Sequence, residues 1–309
     1  MNTSPRITLL ESNRWNDYEL IDSGNGSKLE RFGSYRFVRP EAQAIWKPAL
    51  GPSAWSDVHA VFQPTSEESG GHWKFLKQVD DKWEMRYALE KTDCVLRFNV
   101  MATPGRHLGV FPETASHWDW MAGLIQAAGR PVKVLNLFGY TGLATLAAAA
   151  AGASVTHVDA SKKSVGWARE NQSLSGLEQR PIRWIVDDAM KFVQREGRRG
   201  SRYDGIILDP PKFGRGPKGE VWEVYKSLPE LLESCKEVLG DKPLFVALTV
   251  YAVRASAIHL YYALQESMKG RSGKLDSGEL VMREKSAGRL LSHAVYARWE
   301  SSPAGSRHE

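Results

Sequence analysis

From Pro131 onward, short apolar runs alternate with longer amphipathic segments. Runs at 132–138, 154–158, 182–186, 203–208 and 244–248 have strand length and β-branched character. Between them, about 142–151, 161–175, 188–196, 222–239 and 253–268 carry apolar residues at helical spacing. Strand and helix alternating at this pitch predict a parallel sheet wound by right-handed crossovers. Two later runs, Glu279 to Arg283 and His293 to Trp299, are joined by a link too short for a helix, so they predict an antiparallel hairpin at one sheet edge. The run Ala147 to Ala151 predicts a helix packed closely on the sheet.

Residues 1–110 have a different texture. Aromatic and β-branched runs are punctuated by SGNGS at 23–27, Pro48, Gly51-Pro52 and SGG at 69–71, which are turn signals. Arg97 to Met101 reads as a short strand ended by Thr103-Pro104-Gly105. Seven of the eleven tryptophans lie by residue 120 (Trp15, Trp46, Trp55, Trp73, Trp83, Trp118 and Trp120), and aromatics on a small sheet are expected to form its core. The organisation read from these patterns is a β-rich domain at 1–105, an α/β domain at 106–300 and a disordered tail at 301–309.

Composition narrows the function classes. At 309 residues, 42% apolar and 25% charged, the chain is globular. No apolar run approaches the ~20 residues of a membrane span. The first thirty residues carry Glu11, Asp17, Glu19 and Asp22 and no apolar core of a secretory signal, so a cytoplasmic protein is expected. Two cysteines, Cys94 and Cys235, form neither a disulfide framework nor a CxxC metal pair, and the histidines have no metal-ligand spacing, so no metal is expected. The net charge of +5 is localised: residues 1–110 hold 14 basic and 14 acidic side chains, whereas 180–218 hold 10 and 5. A basic stretch beside a candidate catalytic loop points to a polyanion such as RNA.

Ligands of open α/β sheets bind beyond the carboxyl ends of the strands. The first such end reads VLNLFGYTG, where Gly139 and Gly142 permit a tight turn before the helix. The second, HVDAS, places Asp159 twenty residues after Gly139, where a carboxylate accepts from ribose hydroxyls. The third, IVDDAM, places Asp187 and Asp188 within reach of a purine amine, although an Asp there also suits a helix N-cap. With two glycines in place of G-x-G-x-x-G, the turn lacks a pyrophosphate cradle, which disfavours a nicotinamide dinucleotide. The fourth strand ends in ILDPPKFGRG.

VLNLFGYTG, HVDAS, WARENQSLSGL, DDAMKFV and LDPPKFGRG together resemble the class I S-adenosylmethionine-dependent methyltransferases. More narrowly, they resemble the branch containing the ribosomal RNA large-subunit base methyltransferases. The resemblance spans roughly 95–300 and extends to HLGVFPE at 107–113, similar to a segment that runs over the cofactor. It implies a Rossmann-like seven-stranded sheet whose last strand is antiparallel, with a small N-terminal β extension, and shows no clear match to the RNA-binding PUA domain of some members. It implies S-adenosyl-L-methionine as cofactor, with Asn136, Phe138, Gly139 and Tyr140 around the methionine and sulfonium, and Phe111 and Gly142 as further cofactor-binding residues. Asp159 would hold the ribose, with Ala160 beside the adenine, and Asp188 would accept from the adenine amine, with Ala189 next to it.

The same resemblance makes Asp209, Pro210, Pro211 and Phe213 the catalytic loop, with Lys212 and Arg215 near flanking phosphates. Prolines stiffen it, the Asp209 carboxylate and Pro210 carbonyl accept from an amine, and Phe213 stacks on a splayed base or only closes the pocket floor. Methylation at carbon 5 of a pyrimidine needs a cysteine thiolate. Branch members that do this carry a cysteine after the fifth strand, where this chain reads LFVALTVYAVRAS. The expected function is therefore methyl transfer to a base nitrogen in RNA, likewise ribosomal by resemblance. A protein or small-molecule acceptor, or a non-catalytic cofactor-binding module, is the alternative.

Overall fold

A computed structural model describes residues 5–65, 70–251 and 255–302 of the chain. Each apolar run predicted as a strand beyond Pro131 is one. Their large sheet has the order Ile7–Glu11, Gly273–Arg283, Leu290–Ser301, Phe245–Val250, Gly205–Leu208, Lys133–Leu137, Ser154–Asp159 and Ile182–Val186. All neighbours pair parallel except Leu290–Ser301, which runs antiparallel to both of its own. That strand is the one expected to reverse.

The hairpin it forms does not end the sheet, as the sequence pattern suggested. Ile7–Glu11, from within the stretch expected to be the N-terminal β-rich region, adds an eighth strand outside Gly273–Arg283. Gly278 admits it, because a Cβ there would overlap the Thr8 backbone. A short ITLL run carries no mark of which sheet it joins.

Helices Leu143–Ala150, Lys162–Leu174, Ala189–Arg198, Val224–Val238 and Ala257–Ser267 fill the crossovers. Ser161 and Asp188 start two of them, each side chain accepting a backbone N–H three residues on, at 3.1 and 2.9 Å. Ala147, Ala148 and Ala149 are wholly buried, and their small side chains bring that helix close to the sheet. The first residues of the 253–268 prediction, and 303–309 of the expected tail, lie outside the described residues.

The N-terminal stretch builds a five-stranded sheet, Tyr18–Gly24, Ser27–Phe32, Tyr35–Pro40, Ala60–Pro64 and Gly71–Phe75, and the separate pair Trp83–Ala88 and Val95–Val100. Its first turn is the SGNGS signal: Asn25 (φ 51°) and Gly26 (φ 74°) are both left-handed, as a two-residue hairpin with the right twist requires. The expected aromatic core is present, with Trp83 stacked on Phe37 at 5.8 Å and Trp73 edge-on to Phe37 at 5.5 Å. Trp118 and Trp120 reach this core from the Ala115–Ala127 helix, Trp118 edge-on to Tyr87 at 5.5 Å, an element that the periodicity reading passed over.

Candidate functional site

The chain order reverses between Lys133–Leu137 and Gly205–Leu208, and a crevice opens beyond their carboxyl ends. The turn after the first strand is strained. Phe138 (φ 60°) and Tyr140 (φ 49°) are both left-handed, at a cost of order 1–3 kcal/mol each for non-glycine residues. Gly139 between them could be nothing larger, since a Cβ would overlap the buried His157 ring.

Asp159 fastens this turn from the neighbouring strand. Its Oδ2 accepts from the Tyr140 backbone N–H and its Oδ1 from that of Ser161, each at 2.8 Å. Burial pushes its carboxyl up, and these two donors oppose the shift. From the other side the Thr141 hydroxyl donates to the Gly109 carbonyl at 2.7 Å, and Asn171 donates to the Thr141 carbonyl at 3.0 Å. Residues 107–113 are thereby tied to the turn.

The crevice holds a cavity of about 580 Å³, within the roughly 300–1,000 Å³ of small-molecule sites. Phe111, Phe138, Tyr140, Asp159, Ala160, Asp188, Ala189, Asp209 and Pro211 all line it. A smaller cavity of about 60 Å³ adds Asn136 and Gly139 and shares Phe111, Phe138, Tyr140 and Asp209 with the first. Asn136 donates to Thr145 at 2.9 Å, and Gly142 (φ 86°) caps the following helix rather than facing the cavity. Pro210 is buried behind the loop. Phe213 lines a third cavity, of about 600 Å³, on the other side of Pro211.

Asp188 serves both readings of its position: it caps a helix through Oδ1 and lines the cavity. Asp187 is instead paired with Arg195. Over Asp188 comes a hairpin that the sequence reading missed, Phe213–Arg215 against Val221–Glu223. The expected 222–239 helix accordingly begins at Val224. The hairpin supplies Trp222, whose indole donates to the Pro211 carbonyl at 2.7 Å and whose ring lies 4.9 Å from Phe138. The signal was available, because GRGPKG between Phe213 and Trp222 is turn chemistry between two aromatic arms.

Asp209 is the most perturbed acid of the crevice. Burial raises its carboxyl to about 8, against the Tyr251 hydroxyl that donates to Oδ2 at 3.0 Å. Its Oδ1 is buried with no partner among the described residues. Tyr251, packed 4.9 Å from Phe111, was also missed, because nothing local marks the residue after a buried strand as a partner of Asp209.

The basic stretch is not one patch. Asp188 at the start of the Ala189–Arg198 helix lines the crevice, whereas Arg198 closes that helix, ten residues or about 15 Å away. Arg198, Arg199 and Arg202 therefore sit toward the amino ends of the strands, with Arg199 on Glu196 at 3.1 Å. Lys212, Arg215 and Lys218 lie at the crevice end, where Lys191 is already paired with Glu220 at 2.6 Å. Sequence proximity hid a separation that the helix imposes.

A family model of S-adenosylmethionine-dependent methyltransferases matches residues 73–242, more than half of the chain. The chain belongs to this family. This methyltransferase is 49% identical to an S-adenosylmethionine-dependent methyltransferase from Agrobacterium tumefaciens, with 98% of each chain covered and a TM-score of 0.89. It shares its fold with a putative methyltransferase from Streptococcus mutans (16% identity, 93% of this chain and 76% of the other, TM-score 0.70). Among curated relatives, the ribosomal RNA large subunit methyltransferase K/L of Shewanella sp. is 29% identical over 174 residues, 56% of this chain. The methyltransferase spans only 23% of that relative's length. The cavity suits the family's cofactor: aromatic faces and the carboxylates of Asp159 and Asp188 line it together, and a sulfonium nucleoside needs both. No helix among the described residues is long and apolar enough to cross a membrane.

Neither cysteine of this methyltransferase is set up as a nucleophile. Cys235 is buried in the Val224–Val238 helix and Cys94 lies in the turn after Trp83–Ala88, and burial pushes both thiols up, away from the thiolate. Cys94→Ser and Cys235→Ser are expected to leave methyl transfer intact, with at most a stability loss from the buried site. Trapping of either residue by a 5-fluoropyrimidine RNA would contradict this.

Proposed function

We propose that the chain methylates a nitrogen of a base in RNA, with ribosomal RNA the favoured source. The observation that carries this reading is the Asp209-Pro210-Pro211 loop on the wall between two cavities. Asp209 and Pro211 face the cavity that suits the cofactor, while Pro211 and Phe213 line the next one. S-adenosylmethionine supplies an electrophilic methyl on its sulfonium. In this reading Asp159 holds the ribose hydroxyls and Asp188 accepts from the adenine amine, with Ala160 and Ala189 beside them. Asn136, Gly139 and the faces of Phe111, Phe138 and Tyr140 surround the methionine and the cation, and Gly142 sets the helix start behind them.

The chain's remaining task is to hold a nitrogen lone pair on line with the methyl, an effect worth up to ~7–11 kcal/mol in well-oriented systems. Trp222 occupies the Pro211 carbonyl and Pro210 is buried behind the loop, so the acceptor left for an amine is the unpartnered Oδ1 of Asp209. Phe213 leaves 53% of its surface exposed beside it, which suits stacking on an unpaired base. The curated relatives support RNA as the acceptor, and two thiols that burial pushes away from the thiolate favour nitrogen over pyrimidine carbon 5.

Incubating the protein with labelled cofactor and total RNA, then digesting to nucleosides, tests the reading. An N-methylated nucleoside is the expected product, whereas a 5-methylpyrimidine, or label only in protein, would refute it. Phe213→Ala should weaken turnover by one to two decades and leave cofactor affinity unchanged, since stacking contributes ~1–3 kcal/mol per base. Neutralising Lys212, Arg215 and Lys218 should flatten the salt dependence of RNA binding by up to ~0.7 per lost phosphate contact. The same change at Arg198, Arg199 and Arg202 should matter less, because they lie at the far end of the helix.

A further inference from the structure

The third cavity, about 600 Å³, lies between the five-stranded N-terminal sheet and the acceptor loop. It shares His107, Phe111, Pro211 and Tyr251 with the cofactor cavity, so the two meet at one wall. Its other side comes from the N-terminal sheet. Lys28 and Arg39 face each other directly across two strands and are only 7% and 6% exposed. Placing two like charges opposite each other in a buried site destabilises a sheet unless something offsets it.

Part of the offset is internal. Glu30, held down at about 2 despite burial, takes Arg39 through two hydrogen bonds of 2.7 Å, and Glu41 lies 3.4 Å from Lys28. Two features are left over. Arg106 lines the cavity and pairs with no carboxylate among the described residues. His293 lines it too, with its Nδ1 3.2 Å from the Lys28 ammonium. An ammonium only donates, so Nδ1 accepts and the hydrogen of the neutral ring sits on Nε2. Burial and the nearby cations keep that ring neutral, and its Nε2 is buried without a partner. Glu113 lines the chamber as well, its carboxyl pushed up by burial, so Lys28, Arg39, Arg106 and Lys212 stand there against Glu41 and Glu113, with Glu30 behind Arg39. A cation without a carboxylate partner and a donor without an acceptor, beside the acceptor loop, suit an anion.

We propose that this cavity is the phosphate subsite of the acceptor, holding the phosphate of the nucleotide whose base meets Asp209-Pro210-Pro211. The N-terminal sheet then forms part of the active site as well as packing on it. The inference rests on the reading that a nucleotide base is the acceptor. Arg106 is the residue to change, since no protein partner is orphaned with it.

The test measures binding rather than turnover. The four nucleoside 5′-monophosphates, their nucleosides, a short oligoribonucleotide and S-adenosylhomocysteine are titrated calorimetrically into the full chain, into Arg106→Gln and into Arg106→Lys. At least one monophosphate should bind about tenfold more tightly than its nucleoside, and Arg106→Gln should remove most of that advantage. Arg106→Lys should retain part of it, and nucleoside and S-adenosylhomocysteine affinities should not move. No phosphate advantage in the parent chain, or one that Arg106→Gln leaves intact, overturns the subsite. An oligoribonucleotide that binds tightly without any such advantage sinks the subsite and spares the RNA reading. An Arg106-dependent advantage for a free mononucleotide, with no oligoribonucleotide binding, keeps the subsite and sinks the RNA reading.

Discussion

Replacing Asp209 with asparagine should cost roughly 10²–10³-fold in turnover and at the same time raise the melting temperature. The two effects have one cause. Burial raises this carboxyl from its ordinary 3.8 to about 8, so at neutral pH the fold holds a group that would rather be charged in water. For a carboxyl whose pKa is higher folded than unfolded, the folded state binds more protons between about 4 and 8, and stability falls as pH rises through that window. Each unit of such a shift is ~1.36 kcal/mol, so the handicap near pH 8 reaches several kcal/mol. An asparagine side chain does not titrate. The stabilisation of Asp209→Asn should therefore vanish near pH 4 and grow to several degrees by pH 8, read by thermal melts across that range.

The chemistry should follow the same proton. If the carboxylate is the acceptor for the substrate amine, kcat/KM rises with pH on a limb near 8, and Asp209→Asn removes that limb. Tyr251 donates to the carboxylate and holds its pKa down, so Tyr251→Phe should carry the limb above 8. A tyrosine that only packs against Phe111 would leave the limb in place. A flat profile in the parent chain would remove Asp209 from the acceptor role.

Asp159→Ala should eliminate measurable cofactor binding and also destabilise the fold. Of the two backbone N–H groups that lose their acceptor, that of Tyr140 is partly buried and costs about 1–3 kcal/mol if left unsatisfied, whereas that of Ser161 is exposed and turns to water. One of them belongs to the turn in which Phe138 and Tyr140 are strained, so the cradle loosens as well as losing its carboxylate. Asp159→Asn keeps an acceptor oxygen and should recover part of the stability but little of the affinity. Titration calorimetry with S-adenosylhomocysteine, beside thermal melts, separates the two losses. Unchanged affinity in Asp159→Ala would exclude it from the ribose role.

Sequence alone determined the repeating strand and helix order, the reversed last strand, and the strand-end positions of Gly139, Asp159, Asp188 and Asp209. These follow from local periodicity and from the rule that function collects at carboxyl ends of strands, both written in consecutive residues. Tertiary structure decided everything that needed two distant segments to meet. Tyr251 reaches Asp209 only because their strands are neighbours in the sheet, and Trp222 reaches Pro211 only because a hairpin folds back. The basic stretch, continuous in sequence, was divided by the length of one helix. Ile7–Glu11 joined the far edge of the large sheet because Gly278 left room for it. Lys28, Arg39, Arg106 and His293, scattered over more than 260 residues and individually unremarked, line one chamber because the N-terminal sheet folds over the loop that carries Pro211, Lys212 and Phe213. Charge and hydrogen-bonding capacity are legible one residue at a time, but whether a donor finds an acceptor depends on packing.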